Sequence, residues 1–170
     1  MTNLSRFSWR LLAGAALLAA CGEAPPPRTG VSGDPEQLTF ARSLNVALDT
    51  TERRPSGLYV HDVVIGTGAV ADSMTTAEVH YTGWLADGTK FESSHDGGTP
   101  YRFTVGIGQV ISAWDEGVRG MRVGGKRQLI VPPRLGYGDI GSPPSIPRMA
   151  TLIFDLELVG LPPASPAGVR

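Results

Sequence analysis

One cysteine in 170 residues excludes an intrachain disulfide framework and any all-cysteine zinc site. His61, His80 and His95 are scattered, with no HExxH or CxxC spacing, so metal binding is not expected and no cofactor is implied. No Gly-x-Ser-x-Gly elbow and no P-loop lysine occur. Gly66-Thr67-Gly68 and Gly106-Ile107-Gly108 lack the third glycine of a dinucleotide site and read as strand-end turns. Charge of one sign is also missing: 15 basic side chains face 16 acidic ones, which gives no long-range pull toward nucleic acid. Arg122, Lys126 and Arg127 cluster, but they alternate with Gly and Val and read as a solvated strand edge rather than a nucleic-acid patch. The charged fraction is 18%, below the usual quarter, while Gly numbers 22 and Pro 14. That balance favours turns and β-structure over long helices. The longest apolar run is Leu11–Ala20, half the length of a membrane-spanning helix.

What is there begins with that run. Arg6 and Arg10 precede it and no acid occurs before Glu23, as in a signal peptide of residues 1–20. Cys21 follows at once, after Leu18-Ala19-Ala20. The arrangement resembles the bacterial lipoprotein signal, in which that cysteine is lipidated and becomes the mature N-terminus. An ordinary secretory signal cleaved near Ala20, with Cys21 incidental, is the alternative. The lipoprotein reading implies an exported chain held on a bacterial membrane through lipidated Cys21. Gly22 lacks the Asp that favours inner-membrane retention, so a Gram-negative host implies the periplasmic face of the outer membrane. Removing 1–20 deletes two arginines and no acids, so 13 basic side chains against 16 acidic leave a balance of −3. Attraction to anionic lipid is then not the expected anchor.

Residues 21–35 contain Pro25-Pro26-Pro27 and no apolar pattern, and read as a tether. Leu38, Phe40, Ala41, Leu44 and Leu48 make 36–56 a lead-in segment, either a short helix or an extended arm. From Gly57 the punctuation is regular. Strands are expected at Leu58–Ile65, Ala77–Thr82, Lys90-Phe91, Tyr101–Val105, Arg127–Val131 and from Leu152, with Asp87-Gly88 as a hairpin turn. Val110, Ile111, Trp114 and Val118 recur at helical steps. The expected fold is α+β: one domain, 57–160, with an antiparallel sheet of five or six strands and one short helix. Residues 161–170 are expected to be a disordered tail.

A set of aromatics remains: Tyr81, Trp84, Phe91, Tyr101, Phe103, Trp114, Tyr137 and Phe154. Several must form the core. Tyr137, however, sits in a polar loop between Gly136 and Gly138, where strand burial does not explain it. A partly open apolar pocket does.

These segments resemble the FKBP-type peptidyl-prolyl cis/trans isomerases. The matching pieces run from Val79-His80-Tyr81-Thr82-Gly83 through Asp87–Ser94, Pro100–Phe103, Gln109–Val118 and Met121–Arg127. They continue through Val131-Pro132-Pro133 and Leu135–Gly138 to Ala150–Leu158. The resemblance implies a curved antiparallel sheet wrapped around the helix, rotation of X-Pro bonds as the activity, and proline-containing polypeptides as partners. It implies weak binding of macrolide inhibitors; a monomer is expected, since 36–56 is the only candidate dimerisation element. It assigns catalytic roles to Tyr81, Phe91, Glu92, Trp114, Tyr137 and Phe154, and substrate contacts to Tyr101, Val110, Ile111 and Ile146. Trp114 would be the pocket floor. Tyr137 would donate its hydroxyl to a substrate carbonyl, and Ile146 its backbone N–H to another.

Departures from the family pattern fall at the rim. Glu92 stands where Asp is usual, and Gly97 where a basic partner is usual. Ser142 and Ser145 make the loop more polar, and Tyr101 replaces Phe. X-Pro rotation makes and breaks no covalent bond, so it needs no nucleophile, metal or cofactor. An enzyme assisting the folding of exported proteins is one reading. A chaperone or proline-segment binding module with little turnover is the other, and a structural lipoprotein with a vestigial pocket the third.

Overall fold

The computed structural model describes residues 30–163. The expected signal peptide, Cys21 and most of the expected tether and tail lie outside the described residues. Seven strands form one sheet: β1 (Glu52–Arg53), β2 (Tyr59–Val64), β3 (Thr76–Leu85), β4 (Lys90–Ser93), β5 (Tyr101–Thr104), β6 (Lys126–Val131) and β7 (Leu152–Gly160). Two short helices, α1 (Ser94–Gly97) and α2 (Ser112–Gly117), interrupt them. The order is β1-β2-β6-β7-β3-β4, with β5 also on β3, and the strand pairs are antiparallel. The α+β expectation holds. The strand count exceeds it because β1 is only two residues long and carries no pattern of its own.

β3 shows why these residues make strands. Thr76–Leu85 alternates half-buried and buried positions along its whole length, so Ala77, Val79, Tyr81, Gly83 and Leu85 face inward. The start of β3 pairs with β5 and its end with β4. The chain between them carries α1, which lies against β3. α2 packs on the inner side and buries Ala113, Trp114 and Gly117. Gly117 is required there, since a Cβ would sit 2.5 Å from Leu129 Cδ1.

β6 after Lys126, and β7 over Leu152–Phe154, are buried continuously rather than alternately, whereas β7 alternates from Asp155 onward. Continuous burial means that both faces are covered. The second cover is the lead-in. Leu38 and Leu44 are buried against Tyr59, Ala86, Ile130 and Ile153, with Phe40, Val46 and Leu48 packed around them. The lead-in forms three single 3-10 turns, Pro35–Gln37, Arg42–Leu44 and Leu48–Thr50, followed by β1. Asn45, in the left-handed region at φ 49, ends the second turn. Ala41 N–H donates to Ala86 O at 2.8 Å and Gln128 Nε2 to Leu44 O at 3.0 Å, which fixes the strap to the sheet.

Residues 31–33 belong to this strap rather than to a free tether. Gly33 N–H donates to Met149 O and Thr151 N–H to Val31 O, both at 2.9 Å. Pairing with the residues just before β7 satisfies backbone groups that a solvated tether would leave to water.

Arg127 departs from the expectation of a solvated strand edge. It is 7% exposed. Its guanidinium grips both oxygens of Asp62, at 2.7 and 2.9 Å, and donates through Nη1 to Gly117 O at 2.7 Å. It thus satisfies a carbonyl at the end of α2 while tying β2 to β6.

Candidate active site

α2 carries Trp114 into the core, and four rings gather on it. Tyr81 from β3 lies 4.8 Å away at 77° and Phe154 from β7 5.4 Å away at 85°. Tyr101 and Phe103 from β5 lie at 6.0 and 5.7 Å. Edge-on packing of this kind presents positive ring edges to a negative ring face. Trp114 is buried, and its Nε1 has no hydrogen-bond partner among the described residues.

Above the indole is a cavity of about 330 Å³. Tyr81, Glu92, Tyr101, Val110, Ile111, Trp114, Tyr137 and Phe154 line it, as the sequence reading expected, and Gln109 joins them. Phe91 stands one layer behind the wall, edge-on to Phe154 at 5.6 Å and 87°. Gly83 makes room for both, because a Cβ there would lie 2.5 Å from Phe91 Cζ and 2.9 Å from Phe154 Cε1. The sequence reading ended this strand at Thr82, before the glycine, but β3 runs on through Gly83 to Leu85.

Ile146 needs correction. It is buried in the core, not in the pocket wall, and its N–H already donates to Ser142 O at 2.9 Å in a local bridge. The donor role expected of it is taken. Among the described residues the cavity-lining N–H groups with no partner are those of Gln109, Val110 and Ile111, on the segment leading into α2, and that of Tyr137.

That segment is held from below. Asp115 accepts Gly106 N–H and Gly108 N–H at 2.8 Å each, one on each oxygen. Both glycines have positive φ, 84 and 74, so the turn suits glycine and little else. Gln109 Oε1 accepts Thr104 N–H at 2.7 Å and ties the same segment to β5. Neither Asp115 nor Gln109 was assigned a role from sequence, because their partners are backbone groups that no motif names.

Tyr137 follows the 3-10 turn Pro133–Leu135 and is half-exposed at the mouth. Gly136 and Gly138 both donate to Pro133 O, at 3.0 and 2.9 Å, which folds the loop so that the phenol faces the cavity. Burial pushes the Tyr137 hydroxyl pKa up, and the Glu92 charge adds to it. Burial likewise raises Tyr81, with the hydrogen bond and charge of Glu92 next in importance. Both phenols therefore stay protonated and available as donors across the neutral range.

Among the described residues, no group of three His, Cys, Asp or Glu side chains is placed to hold a metal. The site offers an apolar aromatic slot with hydrogen-bond donors at its edge.

Residues 68–159 match the sequence model described as FKBP-type peptidyl-prolyl cis-trans isomerase. The chain belongs to this family. It is 50% identical over 103 residues to an FK506-binding protein of Neisseria meningitidis serogroup B, covering 61% of this chain and 94% of that one. It is 57% identical over 84 residues to FK506-binding protein 2 of Dictyostelium discoideum, covering 49% of this chain and 63% of that protein. The chain thus spans less than two thirds of the Dictyostelium relative. Among solved structures, it resembles AtFKBP13 at a TM-score of 0.63 and 38% identity, over 66% of this chain and 98% of that one. It resembles FkpA from Escherichia coli at 0.62 and 37%, over 68% and 53%. As an FKBP-type domain, the fold places its matched segment from just after β2 to the penultimate residue of β7.

Proposed function

We propose that this FKBP-type domain catalyses cis/trans rotation of X-Pro bonds in exported polypeptides, and that it works from a membrane surface to which lipidated Cys21 ties it. The observation that carries the catalytic part is the aromatic slot over Trp114 with donors on two sides of its mouth. Peptide rotation faces a barrier of about 18–20 kcal/mol, because resonance gives the C–N bond double-bond character. The planar amide is the more charge-separated form, and water stabilises it. Seating the prolyl ring among Trp114, Tyr81 and Phe154 removes that water. The Tyr137 hydroxyl and the Ile111 N–H would hydrogen-bond carbonyls that flank the twisting bond, a role supported by their position in the cavity lining. Donors matched to the twisted state favour it over the ground state. A lowering of about 4–7 kcal/mol gives roughly 10³–10⁵-fold acceleration.

The test is an isomerase assay on an Ala-Leu-Pro-Phe peptide, with Tyr137→Phe beside the native chain. The native chain should accelerate exchange far above background. Tyr137→Phe should lower kcat/KM by about tenfold, the worth of one well-placed hydrogen bond. Its melting temperature should barely move, because the ring stays and the hydroxyl is at the mouth. A native rate equal to background, with peptide binding intact, would replace the enzyme reading with the binding-module one.

The anchor is tested separately. Two or more acyl chains hold a protein stably on a bilayer. Cys21→Ala should move the protein from the membrane fraction to the soluble fraction. Unchanged membrane association would refute lipidation at that residue.

A further inference from the structure

We propose that Glu92 makes this domain selective for prolines flanked by a cationic side chain, and against prolines flanked by an acidic one. The proposal rests on the isomerase reading and adds the substrate class. Of the side chains lining the cavity, Glu92 alone carries a formal charge at neutral pH. It sits on β4 opposite Gly83, exposed at the mouth. Among the described residues no basic nitrogen lies within ion-pair distance of it.

The cations on the neighbouring strands are already committed. Lys90, two residues earlier on β4, holds both oxygens of Asp96 at 2.9 Å. Arg102 on β5 is paired with Glu78. The loop arginines donate to backbone, Arg134 to Ser56 O and Arg148 to Asp139 O. The mouth therefore presents one unneutralised carboxylate beside apolar walls. Burial raises the pocket phenols Tyr81 and Tyr137, and Glu92 adds to both shifts, so the carboxylate is felt inside the slot. A substrate that fills the slot must place the residues flanking its proline at the rim, where Glu92 stands. A low-dielectric wall focuses the field of such a charge on whatever occupies the mouth. Exposure limits the effect, so a cation and an anion at the same substrate position should differ by about five- to twentyfold.

The experiment measures exchange by protease-free NMR on peptides Ala-X-Pro-Phe with X as Lys, Leu and Glu, at low and high salt. The native chain should turn over the Lys peptide about tenfold better than the Glu peptide, with Leu between or near Lys. High salt should compress that ratio several-fold, since screening at 1 M acts within about 3 Å. Glu92→Gln should bring the Lys/Glu ratio near unity, and Glu92→Asp should preserve it. A native ratio near unity, or a ratio that survives Glu92→Gln, would overturn the proposal. The Leu peptide reports the isomerase activity itself and so separates the two claims. If no peptide is turned over, the same panel titrated as ligands decides: tighter binding of Lys than of Glu supports the proposal, and equal binding overturns it.

Discussion

Arg127→Ala is expected to lower the stability of the domain by about 3 kcal/mol, or roughly 10 °C in melting temperature. The side chain is almost fully buried, and its five donors have three separate duties. It neutralises Asp62 through a two-point grip, satisfies the Gly117 carbonyl where α2 ends, and reaches the Arg119 carbonyl at 3.4 Å. Removing it leaves a buried carbonyl without a donor and a carboxylate without its counter-charge. Asp62 is 42% exposed and recovers part of its loss from water, which keeps the cost below the upper range for buried pairs. Arg127→Lys should recover only part, because an ammonium cannot match a carboxylate at two points while reaching a third acceptor. Asp62→Ala should also destabilise, since it strands the guanidinium in the core. Urea unfolding checks all three. A change under about 1 kcal/mol in Arg127→Ala would mean the network is replaceable by water.

That network also marks where reading the sequence stops. Glycine punctuation exposed most of β3, and three- and four-residue steps exposed α2, because both signals are local. Arg127 has its partners at residues 62 and 117, and nothing local distinguishes it from Arg122 or Lys126, which do face water. Ile146 shows the opposite case. A resemblance named the residue, but its N–H is consumed by Ser142, four residues away, and unpartnered donors lie elsewhere, on 109–111 and Tyr137. The aromatic box was legible only as a set of motifs in order, since an isolated Tyr or Phe in a strand reads as core.

The strap was half legible. Leu38, Leu44 and Leu48 are apolar, but they sit on single 3-10 turns, which have no fixed period over a long window. The better signal was on the sheet. Ile130 and Ile153 are fully buried on the outer face, at positions where a half-exposed sheet would place polar residues. An apolar residue on the wrong face of a patterned strand predicts a cover, and the residues upstream were the available one.

Trp114→Ala should do what Tyr137→Phe cannot, and damage folding and turnover together. The indole is 5% exposed and touches rings from β3, β5 and β7, so its loss opens a void at the point where three strands and α2 meet. Deleting a large buried aromatic costs about 3–5 kcal/mol. The same void removes the floor against which a prolyl ring would be desolvated, so kcat/KM should fall by at least about 10²-fold. Trp114→Phe separates volume from hydrogen bonding. Nε1 has no partner among the described residues, so replacing indole by phenyl forfeits contact area but no hydrogen bond. Its stability cost should be milder than that of alanine by roughly 2 kcal/mol. A Trp114→Ala protein with native stability would show that the cavity floor is supported by other rings. An inactive but stable Trp114→Phe would show instead that the indole N–H meets the substrate, giving its unpaired state in the free protein a purpose.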